Sequence, residues 1–248
     1  MRHAGVKNID VSEAQKMEGV LGFLVPEDVK TSAPPPAPPI LAIEPGYVGQ
    51  PILAVAAVDE TTAQDAIEKI KIDYEPLPFT VDPLQSLFPG GPNARSDGNV
   101  GTVGLNLQTV KWTAADFAAA GDGKLAMGKP AEQWAFGDVD AEFKKCKLIY
   151  DETFVTASNS HHSMEPRTAL AYWQNGKCFV HGSTQSQSFI VPGLAQSIGI
   201  KPDELVLIAE FCGGGFGSKG SAYATMAIPA LMSKKINRPV MMRVSRFE

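Results

Sequence analysis

The 248-residue sequence predicts an α+β chain, and three observations carry that reading. Short apolar runs of strand length, at residues 19–25 and 51–58, are separated by segments with a helical period. Asn175-Gly176 lies between two strand-like runs, a strong hairpin signal. Finally, Leu205-Val206-Leu207-Ile208-Ala209 leads into Phe211-Cys212-Gly213-Gly214-Gly215-Phe216-Gly217-Ser218-Lys219-Gly220, and a helix-like run covers 222–232. Strand, glycine-rich turn and helix commonly hold an anionic group. Glycines admit close backbone approach, and helix N-terminal N–H groups favour negative charge.

The elements follow in order. A short strand is predicted over 5–9, then a polar helix over 12–17 with Ser12 as N-cap and Gln15 completing a capping box. An apolar strand over 19–25 ends in a turn at Pro26. The run Pro34-Pro35-Pro36-Ala37-Pro38-Pro39 cannot be helix or inner strand, so a stiff surface connector is expected. A buried strand over 51–58 precedes a helix over 62–69, capped by Asp59-Glu60-Thr61-Thr62, with Ala63, Ala66, Ile67 and Ile70 on one face. Residues 71–75 alternate as a strand and stop at Pro76. Residues 82–135 read as irregular, with one short helix near 114–120. A helix start at 137–143, strands over 148–156, 169–173 and 177–183, and a helix over 187–199 broken early by Pro192-Gly193 come next. The last predicted strand covers 240–244.

Composition narrows the function. An apolar share of 44% with 20% charged residues is ordinary for a soluble globular protein. A net charge of −5, with no basic run, gives no case for nucleic acid. The three cysteines are widely spaced and form no CxxC pair, so alone they build neither a zinc site nor an iron–sulfur cluster. No signal-peptide pattern and no membrane-length apolar run is present, so a soluble, cytoplasmic chain without a membrane partner is the expectation.

Four stretches carry candidate chemistry. In His161-His162-Ser163-Met164-Glu165-Pro166-Arg167, adjacent histidines on a strand would face opposite ways and could not chelate together, so no metal site is assigned to protein side chains. Gly182-Ser183-Thr184-Gln185-Ser186-Gln187 follows an apolar strand and could be no more than a helix cap. The glycine stretch is the third. Arg238-Pro239-Val240, with Arg243 and Arg246, is the fourth. A dinucleotide-binding unit is the rival enzyme reading, since Gly215 to Gly220 satisfies G-x-G-x-x-G. It lacks the acidic residue about 20 positions on that the ribose needs, because residues 221–247 contain no Asp or Glu. A P-loop fails because Ser218 separates Gly217 from Lys219.

In this order and spacing, the four stretches resemble the molybdenum-binding large subunit of the xanthine dehydrogenase/aldehyde oxidase family. Gly46-Tyr47-Val48-Gly49-Gln50-Pro51 and Ile72-Asp73-Tyr74-Glu75-Pro76-Leu77-Pro78 are similar to its α/β-hammerhead domain. The resemblance implies an N-terminally truncated α/β-hammerhead domain over 1–81, a linker over 82–145, and the first part of a mixed α+β molybdopterin-binding domain over 146–248. It implies a molybdenum hydroxylase, an oxidoreductase that hydroxylates an aldehyde or N-heterocycle with water-derived oxygen. Its cofactor would be molybdenum–molybdopterin, plain or in dinucleotide form. [2Fe–2S] and FAD would sit on other domains or subunits, so the implied partners are the rest of the large subunit, an iron–sulfur subunit, an FAD subunit and a small-molecule substrate.

By the same resemblance, Gln185, Gly214, Gly215, Phe216 and Gly217 would lie against the cofactor, and Arg246 matches a family arginine. His161, His162 and Glu165 would line its edge or the substrate pocket. Gly220 stands where purine-oxidising members place a Glu, which argues against xanthine. The family's catalytic Glu has no match here, so the catalytic residue is unknown. The chain is expected to be a fragment or one piece of a split subunit, inactive alone. A non-catalytic fragment that binds only cofactor and partner chains is the alternative.

Overall fold

The computed structural model describes residues 3–29, 39–82, 99–103, 106–110, 113–121, 134, 136–152, 154, 156–157 and 159–245. Most of the proline run therefore lies outside the described residues, as does Arg246.

The first part consists of β1 (Ala4–Asp10), the helical turn α1 (Ser12–Gln15), β2 (Val20–Leu24), β3 (Ala54–Ala57), α2 (Glu60–Lys69) and β4 (Lys71–Pro76). One of the two strand pairs joins sequence neighbours and the other joins the first and last strands of this part. β1 runs antiparallel to β4, with Ile9 opposite Ile72, and β2 runs antiparallel to β3, with Leu24 opposite Ala54. Asp59 caps α2 by accepting the Thr62 N–H at 2.8 Å.

Ser12 does not cap α1. It is the first helical residue, Val11 holds the N-cap position, and the Ser12 N–H donates to the Asp10 carboxylate two residues earlier, Oδ1 at 2.9 Å. Ala66 is fully buried, whereas Ile67 is 54% exposed and does not join the buried face of α2. The apolar run 51–58 gives only the four-residue β3, and the buried trio Ile40, Leu41 and Ala42 supplies apolar cover that the prolines around it obscured.

Residues 82–135 are not irregular throughout. β5 (Asn99–Val103) and β6 (Asn106–Val110) pair as an antiparallel hairpin, and α3 (Ala114–Ala120) follows. Polar and glycine content hid the hairpin, since neither strand alternates apolar with polar residues. After α4 (Val139–Phe143), the strand expected at 148–156 is absent among the described residues there. Leu148, Tyr150 and Phe154 stand 72%, 80% and 89% exposed, so the apolar pattern finds no sheet to pair with among the described residues.

The second part is built on a four-stranded sheet in the order β10-β7-β8-β9. β7 (Thr168–Gln174) and β8 (Lys177–Gly182) form the predicted hairpin. Asn175 and Gly176 both take positive φ, 50° and 76°, which is what a two-residue type I′ turn requires. Tyr172 and Phe179 are directly opposed across it and stack with ring centres 5.0 Å apart. α5 (Gln187–Ile198) then crosses to β9 (Leu205–Ile208), which lies parallel to β8. α6 (Ala224–Ile236) packs on β7, and β10 (Val240–Arg243) closes the other edge.

Pro192 and Gly193 do not break α5. Pro192 points to solvent, and the buried face Ile190, Leu194 and Ile198 repeats every four residues without interruption. A Cβ added at Gly193 would meet only Ala222 Cβ at 3.4 Å. Gly193→Ala is therefore expected to raise stability by about 0.5–1 kcal/mol in a denaturant titration, through the helix propensity of alanine.

Both parts share one core. Leu24, Val29, Ile40, Leu41 and Ala56 belong to the same buried cluster as Ala169, Val180, Ile190, Met226 and Met232. β2 meets α6 closely enough that a Cβ at Gly22 would lie 2.9 Å from Ile236 Cγ2, and Lys235 pairs with Asp28 at 2.6 Å beside that contact. Among the described residues no helix is long and apolar enough to cross a membrane.

Candidate functional site

The end of β8, the turn after β9 and the loop before β7 converge, so three of the four sequence stretches meet at one place. The glycine turn does not run straight into α6. It closes on itself through Gly220 N–H to Gly217 O and Ser218 N–H to Gly215 O, and the helix starts only at Ala224. That departs from both the helix-end anion cradle and the dinucleotide fingerprint, which puts its last glycine within the opening of the helix.

The inner side of this turn is crowded. A Cβ at Gly213 would fall 2.6 Å from Glu165 Cβ, and one at Gly215 would collide with Gln185 Oε1. Gly214 and Gly217 have φ of 97° and 102°, where a side chain is strained, and the non-glycine Phe216 holds φ 53°. The outer side is open: Gly213, Phe216 and Gly217 are exposed, Phe216 by 73%.

Side chains from the other two stretches pin the turn. Gln185 Oε1 accepts the Gly217 N–H at 2.9 Å, and Glu165 Oε2 accepts the Gly213 N–H at 2.6 Å. Arg167 donates to Ser218 O at 3.0 Å and stacks on Tyr223, while the Tyr223 hydroxyl donates to Ser183 O at 2.9 Å. Burial, helped by Glu165 and Cys212 against the opposing charge of Arg167, pushes the Tyr223 phenol up to about 12, so it stays a neutral donor.

The N–H groups of Gly214, Gly215 and Phe216, between the two pinned amides, have no hydrogen-bond acceptor among the described residues. Gly215 is buried. Successive unpaired amides around positive-φ residues form a concavity suited to an anion or a strong acceptor, and leaving such donors empty is costly. The residues therefore fit a large, polar, anionic group bound mainly through backbone. Gln185, itself exposed, offers its amide nitrogen alongside.

Beneath the turn lies a feature that motif reading missed. Lys219 is buried with 0% exposure, and its ammonium donates to Glu165 Oε2 at 2.8 Å, Glu165 O at 3.0 Å and Ser183 Oγ at 2.8 Å. No signal in the sequence distinguishes this lysine from one on the surface, since its neighbours in the turn are Gly and Ser. Glu165 is thus turned towards Lys219 and Gly213, with its side chain 38% exposed. Burial pushes its carboxyl up, but hydrogen bonds from Lys219, Ser183 and the Gly213 N–H, with the Lys219 charge, outweigh burial and hold it below the ordinary 4.5.

A carboxyl lowered in the folded state stabilises fully above its unfolded value, and that contribution is lost as pH falls through the folded value. The thermal midpoint is therefore expected to fall on acidification below about pH 4.5, and Glu165→Gln to flatten that acid limb. Comparing the two melting curves against pH checks it; parallel limbs would contradict the pairing.

His161 and His162 are not on a strand, contrary to the premise that set their side chains on opposite faces. Both are exposed, His162 has φ 45°, and His161 Nε2 lies 3.3 Å from where a Gly217 Cβ would stand. Among the described residues no group of three His, Cys, Asp or Glu side chains is placed to hold a metal.

Comparison with known proteins gives two family matches. Residues 123–248 match the molybdopterin cofactor-binding domain, and residues 1–78 match the a/b hammerhead domain of aldehyde oxidase and xanthine dehydrogenase. The large chain of carbon monoxide dehydrogenase from Afipia carboxidovorans is 27% identical over 99% of this chain and 30% of its own length. Aldehyde oxidoreductase from Megalodesulfovibrio gigas is 27% identical over 97% of this chain and 25% of its own. Among solved structures, reconstituted CO dehydrogenase from Oligotropha carboxidovorans superposes with a TM-score of 0.75 at 26% identity, over 99% of this chain and 30% of that one. The chain thus spans between a quarter and a third of the length of these relatives.

Proposed function

The chain belongs to the aldehyde oxidase and xanthine dehydrogenase family, and from that premise we propose that it forms one wall of the molybdenum-cofactor site in a molybdenum hydroxylase acting on an aldehyde or N-heterocycle. The observation that carries this reading is the row of open N–H donors at Gly214, Gly215 and Phe216, braced by Gln185 and Glu165. When bound, molybdenum–molybdopterin supplies the two-electron redox chemistry that no side chain here can supply.

The chain's own residues bind and orient. The 214–217 backbone and the Gln185 amide would hold the cofactor's polar and anionic groups, and Phe216 would keep water from its flank. His161, His162 and Glu165 would stand at the cofactor edge or substrate pocket, and Arg246, by the family resemblance alone, would be a cofactor-binding residue. Gly220 leaves no carboxylate for a purine, in favour of an aldehyde or another heterocycle.

We further propose a division into 1–81, a linker over 82–145 and a cofactor unit over 146–248. Its support is that no buried hydrophobic residue falls between Ala66 and Ala169 among the described residues. The catalytic base, the rest of the large subunit, and iron–sulfur and FAD partners would come from elsewhere, in the cytoplasm. Relatives named as a large chain and as subunit gamma of a dehydrogenase complex support that arrangement. A fragment or split subunit that binds cofactor without turnover is the second reading, favoured by the unpaired apolar residues Leu148, Tyr150 and Phe154.

Metal and pterin analysis of the native assembly tests the proposal: molybdenum bound with pterin is expected, and its absence overturns it. The isolated chain, loaded with cofactor, is expected to show no aldehyde hydroxylation; measurable turnover would place the base within it.

A further inference from the structure

Lys219 has a saturated ammonium. Its three N–H donors meet three acceptors, Glu165 Oε2, Glu165 O and Ser183 Oγ, all within 3.0 Å. At 0% exposure it can neither reach a ligand nor spare a donor for one. Its main chain is equally committed, because Lys219 O accepts the Gln185 N–H at 3.2 Å and the Thr184 hydroxyl at 2.9 Å.

These bonds lead to both ends of the open donor row. Through Glu165 Oε2, which also takes the Ser183 hydroxyl at 2.7 Å, Lys219 fixes the acceptor of the Gly213 N–H. Through its carbonyl it fixes the backbone of Gln185, whose side chain takes the Gly217 N–H. Gly214, Gly215 and Phe216 lie between those two points.

We propose that Lys219 is a positioning residue: with Glu165 and Ser183 it sets the spacing and direction of the Gly214–Phe216 amides, and so their hold on the cofactor. This rests on the functional reading above. The lysine acts through charge and direction, which separates it from a residue that only fills space. Methionine keeps the apolar stem of lysine but no donor, whereas arginine keeps the charge at the cost of a poorer fit.

The test uses the native assembly carrying Lys219→Met, Lys219→Arg, Glu165→Gln or Ser183→Ala, made in a host that synthesises molybdopterin. Molybdenum is read per folded chain, and amide hydrogen exchange across 211–220 is read in cofactor-free protein. Lys219→Met is expected to lower molybdenum per folded chain by about tenfold or more, as losses of supporting contacts around a metal group do. Lys219→Arg should recover much of it. Glu165→Gln and Ser183→Ala, which leave the lysine in place, should fall in between. Protection of the Gly213 amide, whose acceptor the lysine side chain holds, should be lost in the same order.

Equal molybdenum in wild type and Lys219→Met overturns the inference, as does retention by Met with loss by Arg, the pattern of simple packing. Unchanged amide protection also overturns it. A wild-type assembly without molybdenum overturns the functional reading and takes this inference with it. Should Lys219→Met fail to fold, Glu165→Gln decides by the same two readouts.

Discussion

Lys219→Met is expected to destabilise the chain by about 2–4 kcal/mol, seen as a lower urea midpoint with an unchanged slope. Removing one partner of a buried pair leaves the other charge uncompensated, which in closed interiors costs about 3–5 kcal/mol. Here the effect is smaller, because the Glu165 side chain is 38% exposed and water can reclaim part of it. Ser183 Oγ and the Gly213 N–H also remain to share the carboxylate. Replacing both ionic partners with apolar residues should recover some stability, since the stranded charge then disappears, but not all, because Gly213 loses its acceptor. A double-mutant cycle on Lys219 and Glu165 should give a coupling above about 1 kcal/mol. A single-variant loss below about 0.5 kcal/mol, the range of ordinary surface substitutions, would mean that the pair contributes nothing to stability.

What was legible in the residues, and what was not, divides along the range of the forces involved. Local signals held: Asn175-Gly176 demanded a two-residue hairpin turn, Asp59 a cap, and the run before Phe211 a strand. These depend on a few neighbouring residues. Strand pairing depends on distant ones, so nothing near residue 71 announced that β4 would pair with β1 rather than β3. At 148–156 the strand pattern was present but, among the described residues, a strand partner was not, and periodicity alone could not tell the difference. At the candidate site, three of the four stretches singled out in the sequence come together. Their meeting at one point, and the burial of Lys219 beneath it, belong to tertiary structure. The family resemblance set Glu165 at the cofactor edge or pocket wall; in the fold three donors converge on one of its oxygens.

Gly213→Ala is expected to cost about 1–3 kcal/mol and to lower cofactor retention, although it adds only one methyl group. The new Cβ would lie 2.6 Å from Glu165 Cβ. That neighbour is not the far end of a side chain that could swing aside, since Cβ moves only with its own backbone. Glu165 is held there by its own N–H to Gly213 O at 3.2 Å and by Lys219 donating to its carbonyl. The strain must therefore pass into the bonds that direct Gly214–Phe216. Gly193→Ala is the internal control, with the same added atom in a helix that has room for it, and should stabilise. Urea titration of both variants beside wild type reads the contrast, with molybdenum content of the assembled protein as the second measure. If Gly213→Ala tracks Gly193→Ala in stability and keeps its molybdenum, the close approach of Glu165 to this turn does not govern the site.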